Sequence, residues 1–318
     1  MQRNAEMDRP QCTRRQFVQG TIAAVTVPLL VTRGLAGAET SLAFAANDKE
    51  FRFDTGILRG VLRPQGKSLG LTPVTDVATG AALAKEYGLC SHYRLLDAET
   101  RYGGGAWDWV SQARLTPDGT VESSWSADPG HPFDLKAAYR WAAPNTLDVA
   151  TSITAKKDLS RFEVFLASYF EGLSSSSAYV QACAETGGKP GFLEAKQDVA
   201  TWHMFPRDEQ AVRTIGDGRW KRPPNPVDWQ IRPPLAGALA VRRNATSGLV
   251  ALLMAPPTDC FAIAMPFGEE EHRSVYLSLL GGDIKSGQTV TARTRLVIAR
   301  DLSDEKAIEQ YQAYVKGL

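Results

Sequence analysis

The chain has 318 residues, of which 43% are hydrophobic and 22% are charged, and its formal net charge is +1. This is the composition of a globular protein with enough apolar material for a sizeable core. The near-neutral charge excludes a basic surface for nucleic acid or anionic lipid, so neither is expected as a partner.

The N-terminal residues carry an export signal. Thr13-Arg14-Arg15-Gln16-Phe17-Val18 resembles the twin-arginine pattern, Ser/Thr-Arg-Arg-x-Phe followed by an apolar residue. The apolar run over residues 21–31 is too short for a transmembrane span, so no stable membrane span is expected after cleavage. Small-residue cleavage sites end at Ala38 and at Ala45. We therefore expect a signal peptide over residues 1–38, or to residue 45, the twin-arginine translocase as partner during export, and a periplasmic or secreted mature protein.

Cysteine usage points to free thiols in the mature protein. Removal of the signal peptide takes away Cys12 and leaves Cys90, Cys183 and Cys260. Three cysteines in no metal-type spacing allow at most one disulfide. Cys90 and Cys260 lie in apolar, strand-like runs, so buried thiols are expected there.

Period-two alternation of apolar and polar residues dominates the mature chain. Leu135, Ala137, Tyr139 and Trp141 alternate with polar or small residues, and the same pattern resumes at Leu147 after a Pro144-Asn145 turn. This predicts a hairpin with one buried face. Similar strands are predicted at residues 121–125, 275–279 and 290–298. Continuous apolar runs at 248–255 and 260–265 predict strands that are covered on both faces.

Helical patterns are few. Ser303 is a suitable N-cap for a C-terminal helix whose Ile308, Tyr311 and Val315 fall on one face. Residues 75–88 are a second candidate for a short helix, and the residues after Glu209 are interpreted as an apolar strand. Many strands at intervals of about 8–12 residues predict an all-β fold, a large antiparallel β-sandwich with a short C-terminal helix. No linker divides residues 50–318, so one domain is expected.

The tryptophans are concentrated in one part of the chain. All seven lie between Trp107 and Trp229. An aromatic plane packs well against the C–H face of a pyranose ring, so clustered tryptophans in an exported β protein favour a carbohydrate ligand. Trp125 and Trp141 continue apolar strand faces and are assigned to the core. Trp107, Trp202, Trp220 and Trp229 remain candidates for the ligand.

Residues 202–232 form the stretch richest in chemically active side chains. They hold three tryptophans, one histidine and four of the eighteen prolines, which makes a shaped loop the expected structure. The alternative is a long surface crossover whose aromatic residues pack down as anchors. From this stretch we assign His203 as a candidate acid or base. The candidate sugar-binding side chains are Trp202, Arg207, Trp220, Asp228 and Trp229.

Two earlier strands supply further candidates. Alternation from Gly88 onward places His92 and Arg94 side by side on one face, which suits a proton-transfer group beside a cation. A solvated polar face would show the same pattern. On the strand near residues 162–170, Glu163 and Tyr169 share a half-apolar face. We assign His92, Glu163 and Tyr169 as candidate catalytic residues and Arg94 as a binding residue.

Several chemistries have no signature in the sequence. It contains no G-x-S-x-G elbow, Walker loop, H-E-x-x-H or paired C-x-x-C motif. Glu269, Glu270, Glu271 and His272 could offer metal ligands, but an acidic turn is the commoner explanation of such a run. No metal and no cofactor are predicted.

A family resemblance adds to this interpretation. Leu166-Ala167-Ser168-Tyr169-Phe170 lines up with the end of a strand that reads Asn-Leu-Thr-Asn-His-x-Tyr-Phe in aldose epimerases. The mature chain thus resembles an exported branch of the galactose mutarotase-like, or β-supersandwich, group. The resemblance implies a concave sheet that faces a sugar. The catalytic histidine of the motif falls on Ala167, and the group's C-terminal Leu-Glu-Pro-Gln stretch has no counterpart. Both departures speak against aldose 1-epimerase activity.

Three functions follow from these patterns. The first is an exported protein that binds or processes a carbohydrate. If it is catalytic, His92 or His203 with Tyr169 would perform acid/base chemistry, as in an epimerase or polysaccharide lyase. The second is a non-catalytic glycan-binding or envelope glycan assembly module. The third, ranked lowest, is a metal-dependent hydrolase that uses His272. Convergence of His92, Glu163, Tyr169 and His203 in one pocket would favour the first.

Overall fold

The computed structural model describes residues 42–318. The first predicted cleavage site and the twin-arginine motif lie outside the described residues. The strands are β1 (Ala45–Asn47), β2 (Glu50–Asp54), β3 (Leu58–Arg63), β4 (Gly70–Asp76), β5 (Ser91–Leu96), β6 (Gln112–Leu115), β7 (Val121–Trp125), β8 (Phe133–Ala143), β9 (Thr146–Ala155), β10 (Leu159–Tyr169), β11 (Ser175–Val180), β12 (Gly191–Glu194), β13 (Trp202–Pro206), β14 (Gln230–Ile231), β15 (Leu235–Arg243), β16 (Leu249–Met254), β17 (Cys260–Pro266), β18 (Ser274–Ile284) and β19 (Thr289–Arg300). The helices are α1 (Glu209–Ile215) and α2 (Asp304–Lys316), with short 3-10 turns at Ala106–Asp108, Ala184–Thr186 and Arg219–Lys221. None of the helices in this part of the chain is long and apolar enough to cross a membrane.

The strands form three sheets. A nine-stranded sheet has the order β12-β11-β15-β16-β19-β9-β8-β7-β6, and a six-stranded sheet has the order β14-β13-β17-β18-β10-β5. A smaller sheet joins β1 to β4 in chain order. The strands pair antiparallel, apart from the two-residue parallel pairing of β14 with β13. The predicted all-β sandwich with a C-terminal helix is therefore confirmed.

One apolar core lies between the two large sheets. Leu135, Tyr139 and Ile153 contribute from the nine-stranded sheet, and Val164 and Leu277 contribute from the six-stranded sheet. The predicted hairpin is β8 and β9, in which Leu135 pairs with Ile153 and Tyr139 pairs with Val149. Alternate residues of β8 are buried, as the sequence pattern indicates.

The outer faces of both large sheets are also covered. Helix α2, whose Ser303 caps the N-terminus by accepting from Lys306 N, packs Tyr311 and Tyr314 on the nine-stranded sheet. Helix α1 and the residues that follow it cover the six-stranded sheet. Consequently β16 and β17 are buried along their whole length, which confirms the prediction of strands that are covered on both faces. Cys90 and Cys260 are buried free thiols, and burial raises the pKa of each to about 12.

Two local predictions are wrong. Residues 75–88 hold no helix, because their backbone pairs with strands through bridges from Thr75 to Ala82 and from Ala84 to Phe170. The predicted strand after Glu209 is helix α1. Its N-cap is Asp208, whose carboxylate accepts from Ala211 N at 2.8 Å. The buried residues of α1 are Ala211, Thr214 and Ile215, which lie three and four positions apart and so share one face. This short helix is stable because it is capped and because that face packs on the sheet.

The folded domain extends further toward the N-terminus than residue 50. Strand β1 pairs with β2, and the ring of Phe44 is 2% exposed. Phe44 packs against Phe53 and Trp141, with ring centroids 5.8 and 5.9 Å away. Phe44 therefore belongs to the same core as the sandwich.

Candidate functional site

The outer face of the six-stranded sheet carries a cleft of about 380 Å³. We call it the aromatic cleft. Its side chains from the sheet are Tyr93, Arg94, Phe165, Tyr169, Trp202 and Tyr276. Trp220, Trp229 and residues 225–227 contribute from the chain that crosses the sheet, and His272 stands at one end. A second hollow of about 480 Å³ adjoins the cleft and shares Tyr169 and His272 with it.

Strand alternation on β10 builds the sheet side of the cleft. Phe165, Ala167 and Tyr169 point outward, since alternate residues of a strand share a face. Their neighbour on β18 is Tyr276, which stacks on Phe165 at 4.5 Å between centroids and donates to the Tyr169 hydroxyl at 3.3 Å. Ala167, where the family resemblance places a catalytic histidine, is fully buried beside Tyr276. No imidazole is available at that position.

Residues 217–229, here called the covering segment, lie across this face and are held by a buried ion cluster. The Arg219 guanidinium contacts Glu163 at 3.0 Å and Asp217 at 2.8 Å, and the side chains of Arg219 and Glu163 are fully buried. Burial raises the pKa of Glu163, although the positive charge of Arg219 acts in the opposite direction. Glu163 therefore anchors the covering segment to β10.

Other arginines bind the backbone of the covering segment or of its neighbours. Arg101 donates to the carbonyls of Arg222 at 3.3 Å and of Pro224. Arg222 donates to the carbonyls of Asp97 at 3.1 Å and of Ala98. Because the prolines of this segment offer no N–H donors, the carbonyls of Arg222 and Pro224 have a side chain as their partner instead of a neighbouring backbone group.

Tryptophans and tyrosines form the walls of the cleft. Trp229 meets Trp220 and Trp202 edge to face, at 5.2 and 6.0 Å between centroids. On the opposite side Tyr93 stacks on Trp107 at 4.1 Å. Gly105 permits this stack, because a Cβ there would lie 2.9 Å from both rings. The cleft thus has rigid aromatic surfaces on several sides.

Arg94 is the cation of the cleft. Its side chain is 5% exposed, and its Nη2 donates to Asn225 O at 2.9 Å and to the Tyr93 hydroxyl at 3.3 Å. The guanidinium also lies 4.9 Å from the centre of the Tyr93 ring and 5.2 Å from that of Trp220. Nε and Nη1 are buried without a hydrogen-bond partner among the described residues.

His272 and Tyr169 are the titratable pair at the end of the cleft. Nδ1 of His272 donates to Glu270 Oε1 at 2.7 Å, and its ring lies 6.2 Å from that of Tyr169. Burial raises the pKa of Tyr169 well above its ordinary value, and the neighbouring Tyr276 hydroxyl adds to that shift. Tyr169 is therefore a protonated donor at neutral pH. Glu270, Glu271 and His272 present ligand atoms within 4.8 Å of one another, so these three side chains could hold a metal ion.

The structure places His92 away from the cleft. A β-bulge at Tyr93 shifts the register, so that Phe165 pairs with Arg94 while Leu166 pairs with His92. His92 consequently points into the core, where its Nε2 lies 2.9 Å from Thr151 Oγ1. Burial lowers its pKa to about 3, so the ring is neutral. The prediction that His92 and Arg94 share a face is wrong because of this one extra residue.

His203 also points away from the cleft. It alternates with Trp202 and Met204, which face the cleft side, and its Nε2 donates to Ala200 O at 2.9 Å and to Lys196 O at 3.1 Å. Burial lowers its pKa. His92, Glu163, Tyr169 and His203 therefore do not converge in one pocket.

Two predicted binding residues lie outside the lining of the cleft. Arg207 follows the far end of β13 from Trp202 and contacts Asp208 at 2.7 Å and Pro257 O at 3.0 Å. Asp228 is exposed and pairs with Lys221. Arg94, Tyr169, Trp202, Trp220 and Trp229 are the predicted residues that the structure brings together.

Outside the covering segment, sequence reasoning missed four side chains of the cleft, namely Tyr93, Phe165, Tyr276 and His272. His272 was considered only as a metal ligand. Glu270 lies only two residues before His272 in the sequence, and this spacing could have indicated a histidine whose ring is oriented by a carboxylate. Tyr276 was taken only as one residue of an apolar strand, since its place beside Tyr169 depends on the pairing of β10 with β18.

No protein-family model matches the sequence, and no curated protein matches it. Among solved structures, the chain is similar to a galactose mutarotase related enzyme from Lactobacillus acidophilus, with 8% identity and a TM-score of 0.47 over 80% of this chain and 99% of that chain. It is also similar to an aldose epimerase homologue from C. elegans, with 9% identity and a TM-score of 0.45 over 81% and 98% of the two chains. A third likeness is to the α-N-acetylgalactosaminidase NagBb from Bifidobacterium bifidum in complex with GalNAc, with 9% identity and a TM-score of 0.47 over 86% and 39%. These likenesses concern the fold alone.

Proposed function

We propose that the aromatic cleft binds a carbohydrate and that this is an exported carbohydrate-binding or carbohydrate-processing protein. The observation that carries the proposal is the meeting of seven aromatic side chains with one arginine and one histidine in a cleft of about 380 Å³. That volume falls in the range of small-ligand pockets, roughly 300–1,000 Å³. Aromatic faces suit the C–H surface of a sugar ring, and the polar groups suit its oxygens.

For a processing enzyme, His272 replaces His92 and His203 as the partner of Tyr169 in proton transfer. Glu270 orients the His272 ring, and Nε2 is left without a hydrogen-bond partner among residues 42–318. Such a nitrogen can take the proton from a sugar carbon that is adjacent to a carbonyl or carboxyl group. Tyr169, kept protonated by burial, can then give its proton to the leaving oxygen as the C–O bond breaks in elimination, or to the opposite face of the same carbon in epimerisation. This pair suits epimerase- or lyase-like chemistry.

A non-catalytic glycan-binding or envelope glycan assembly module is the second candidate. It is favoured by the absence of Asp and Glu from the described residues that line the aromatic cleft. Retaining and inverting glycosidases generally need a pair of carboxyl groups across the scissile bond, and the lining of the cleft itself provides none; Glu86, Glu171 and Glu271 line the adjoining hollow.

The binding proposal is tested by calorimetric titration with a panel of neutral and acidic oligosaccharides. Trp229→Ala should weaken binding about tenfold or more, since a central tryptophan commonly dominates an interface. The matched control is Trp109→Ala, a partly buried tryptophan outside the lining of the cleft, which should leave the affinity unchanged. Heat from no member of the panel would contradict the proposal.

The catalytic form is tested with His272→Gln. Product formation, followed by NMR of the sugar, should disappear in this variant while binding remains. His131→Gln, at a histidine that contacts Asp128 away from the cleft, is the control. Binding by the wild type without turnover of any bound sugar would leave the glycan-binding module as the function.

Export by the twin-arginine route to the periplasm or beyond is also part of the proposal. Its support is the motif at Arg14 and Arg15, and the burial of Phe44 favours cleavage after Ala38 over cleavage after Ala45, which would remove a core side chain. Replacement of both arginines by lysine should retain the protein in the cytoplasm. The mass of the exported wild type should correspond to a chain that begins at Glu39. A chain that begins at Ala46 would contradict this choice of site.

A further inference from the structure

We propose that the sugar bound in the aromatic cleft is an acidic one and that Arg94 receives its anionic group, the carboxylate of a uronate or a sulfate ester. The inference rests on the proposed carbohydrate site and specifies its substrate class. It is carried by the unpaired state of a buried guanidinium in the lining of the cleft.

Arg94 differs from the other buried arginines of the described chain. Arg219 pairs its three guanidinium nitrogens with Asp217, Glu163 and a carbonyl. Arg242 donates from all three nitrogens to carbonyls of Leu173, Ser274 and Gly268. Arg94 uses only Nη2 and leaves Nε and Nη1 unpaired. A buried charge with unpaired donors is costly, so its retention indicates a partner that the protein does not itself provide.

The protein offers no carboxylate to fill this role. Within residues 42–318, no acidic side chain forms an ion pair with Arg94. Asp217 is bound to Arg219, and Asp228 pairs with Lys221 at the surface. Asp97 accepts from the Tyr102 hydroxyl at 2.5 Å and from backbone N–H groups. The neighbouring acids are therefore already committed to other groups.

A second cation lies close to Arg94. Burial lowers the pKa of Arg101, and the positive charge of Arg94 lowers it further. Arg101 donates hydrogen bonds to carbonyls, including those of Gly103 and Gly104. These carbonyls are uncharged, so they do not neutralise the positive charge of Arg101. An anion in the cleft would relieve the repulsion between these two side chains.

The remaining unpaired polar atoms of the cleft are donors as well. Nε1 of Trp220 and Nε1 of Trp229 are buried without a hydrogen-bond partner among the described residues. With the two nitrogens of Arg94, every unpaired buried polar atom of the lining is an N–H group. A ligand that complements this set carries several acceptor oxygens, as a carboxylate or a sulfate does.

The test compares wild type, Arg94→Met and Arg207→Met in calorimetric titrations with three matched oligosaccharides, one neutral, one that contains uronate and one neutral but sulfated. The wild type should prefer one of the anionic ligands to the neutral one by about 10- to 100-fold, the usual worth of a charge-assisted hydrogen bond. Arg94→Met should abolish that preference, so that the neutral and the anionic sugars bind this variant with equal affinity. Arg207→Met removes an arginine outside the cleft and should retain the preference. The identity of the preferred anion distinguishes the carboxylate from the sulfate.

The ratio of the affinities for anionic and neutral sugars shows whether a variant has lost the positive charge of Arg94 or the shape of the cleft. A loosened covering segment would weaken the binding of all three ligands together and leave that ratio unchanged. Arg222→Met, which removes another arginine that binds backbone carbonyls, provides that comparison and should lower all affinities in parallel. Equal binding of neutral and anionic sugars by the wild type would overturn the inference and leave the carbohydrate site standing. Binding of no sugar of any class would overturn both.

Discussion

Two arginines beside the covering segment show opposite solutions to the burial of a cation. Arg219 is fully buried and is held between Glu163 and Asp217, whereas Arg94 is 5% exposed and meets one carbonyl and one tyrosine hydroxyl. Both are on or beside the same sheet face. The difference is that Arg219 joins two parts of the chain, while Arg94 lines an open cleft. A saturated buried charge indicates a structural role, and an unsaturated one in a cleft indicates a ligand.

The largest expected effect is at Arg219. Arg219→Met would leave the Glu163 carboxylate buried without its cation, and breaking a buried pair in this way costs about 3–5 kcal/mol of unfolding free energy. Arg94→Met, in contrast, should cost about 1 kcal/mol or less, since it removes donors that are partly unpaired. Urea denaturation of the two variants measures both values. Equal losses would mean that the two arginines have the same structural role.

A second variant tests the assignment of Glu163 as an anchor. Glu163→Gln removes one of the two carboxylates that bind Arg219 and should lower the free energy of unfolding by about 1–3 kcal/mol. Urea denaturation gives this value, and calorimetry under native conditions should show unchanged sugar affinity. A variant that is fully stable yet inactive would return Glu163 to the list of catalytic candidates.

The core-facing histidine of β5, His92, should make the stability of the protein depend on pH. The pKa of His92 is lowered by burial to about 3 from an ordinary value of 6.5. Between these pH values the unfolded chain binds a proton that the folded chain does not, so stability falls as the pH falls below 6.5. At pH 5 the loss relative to pH 7 is about 2 kcal/mol.

His92→Gln is the control for that pH dependence. Glutamine does not titrate, so the stability of the variant relative to the wild type should rise between pH 7 and pH 5. His203 is present in both proteins, and its own titration therefore cancels in the difference. A difference that is constant with pH would contradict a buried neutral His92.

The smallest expected effect is at Gly105. In Gly105→Ala the new methyl group would lie 2.9 Å from the rings of Trp107 and Tyr93, so Tyr93 must move. We expect a loss of sugar affinity of about two- to fivefold, because the displaced ring of Tyr93 would contact the sugar less well. Gly282→Ala, at an exposed position of β18 with nothing within 4 Å of the added carbon, is the control in the same titration.

Much of the fold could be predicted from periodicity. The β8–β9 hairpin, the doubly covered β16 and β17 and the capped helix α2 each follow a local pattern that tertiary packing did not override. Helix α1 was missed, although Asp208 gave a cap signal, because seven residues contain too few turns for a clear period.

The site was less accessible to sequence reasoning. A bulge at Tyr93 adds one residue to β5, and alternation cannot reveal an insertion that reverses the faces. Glu163 and Arg219 are 56 residues apart, so their pairing has no local signature. The cluster of tryptophans did indicate the covering segment, because aromatic residues between prolines in a loop are unusual unless they pack or bind.

The most direct test of the account is to locate the ligand on the cleft. In ¹⁵N-labelled protein, the indole N–H signals of Trp220 and Trp229 report on the cleft, whereas those of Trp125 and Trp141 report on the core. During titration with an oligosaccharide that contains uronate, we predict shifts of the Trp220 and Trp229 signals, with the Trp125 and Trp141 signals unchanged. Saturation of binding with the Trp220 and Trp229 signals unmoved would contradict the account.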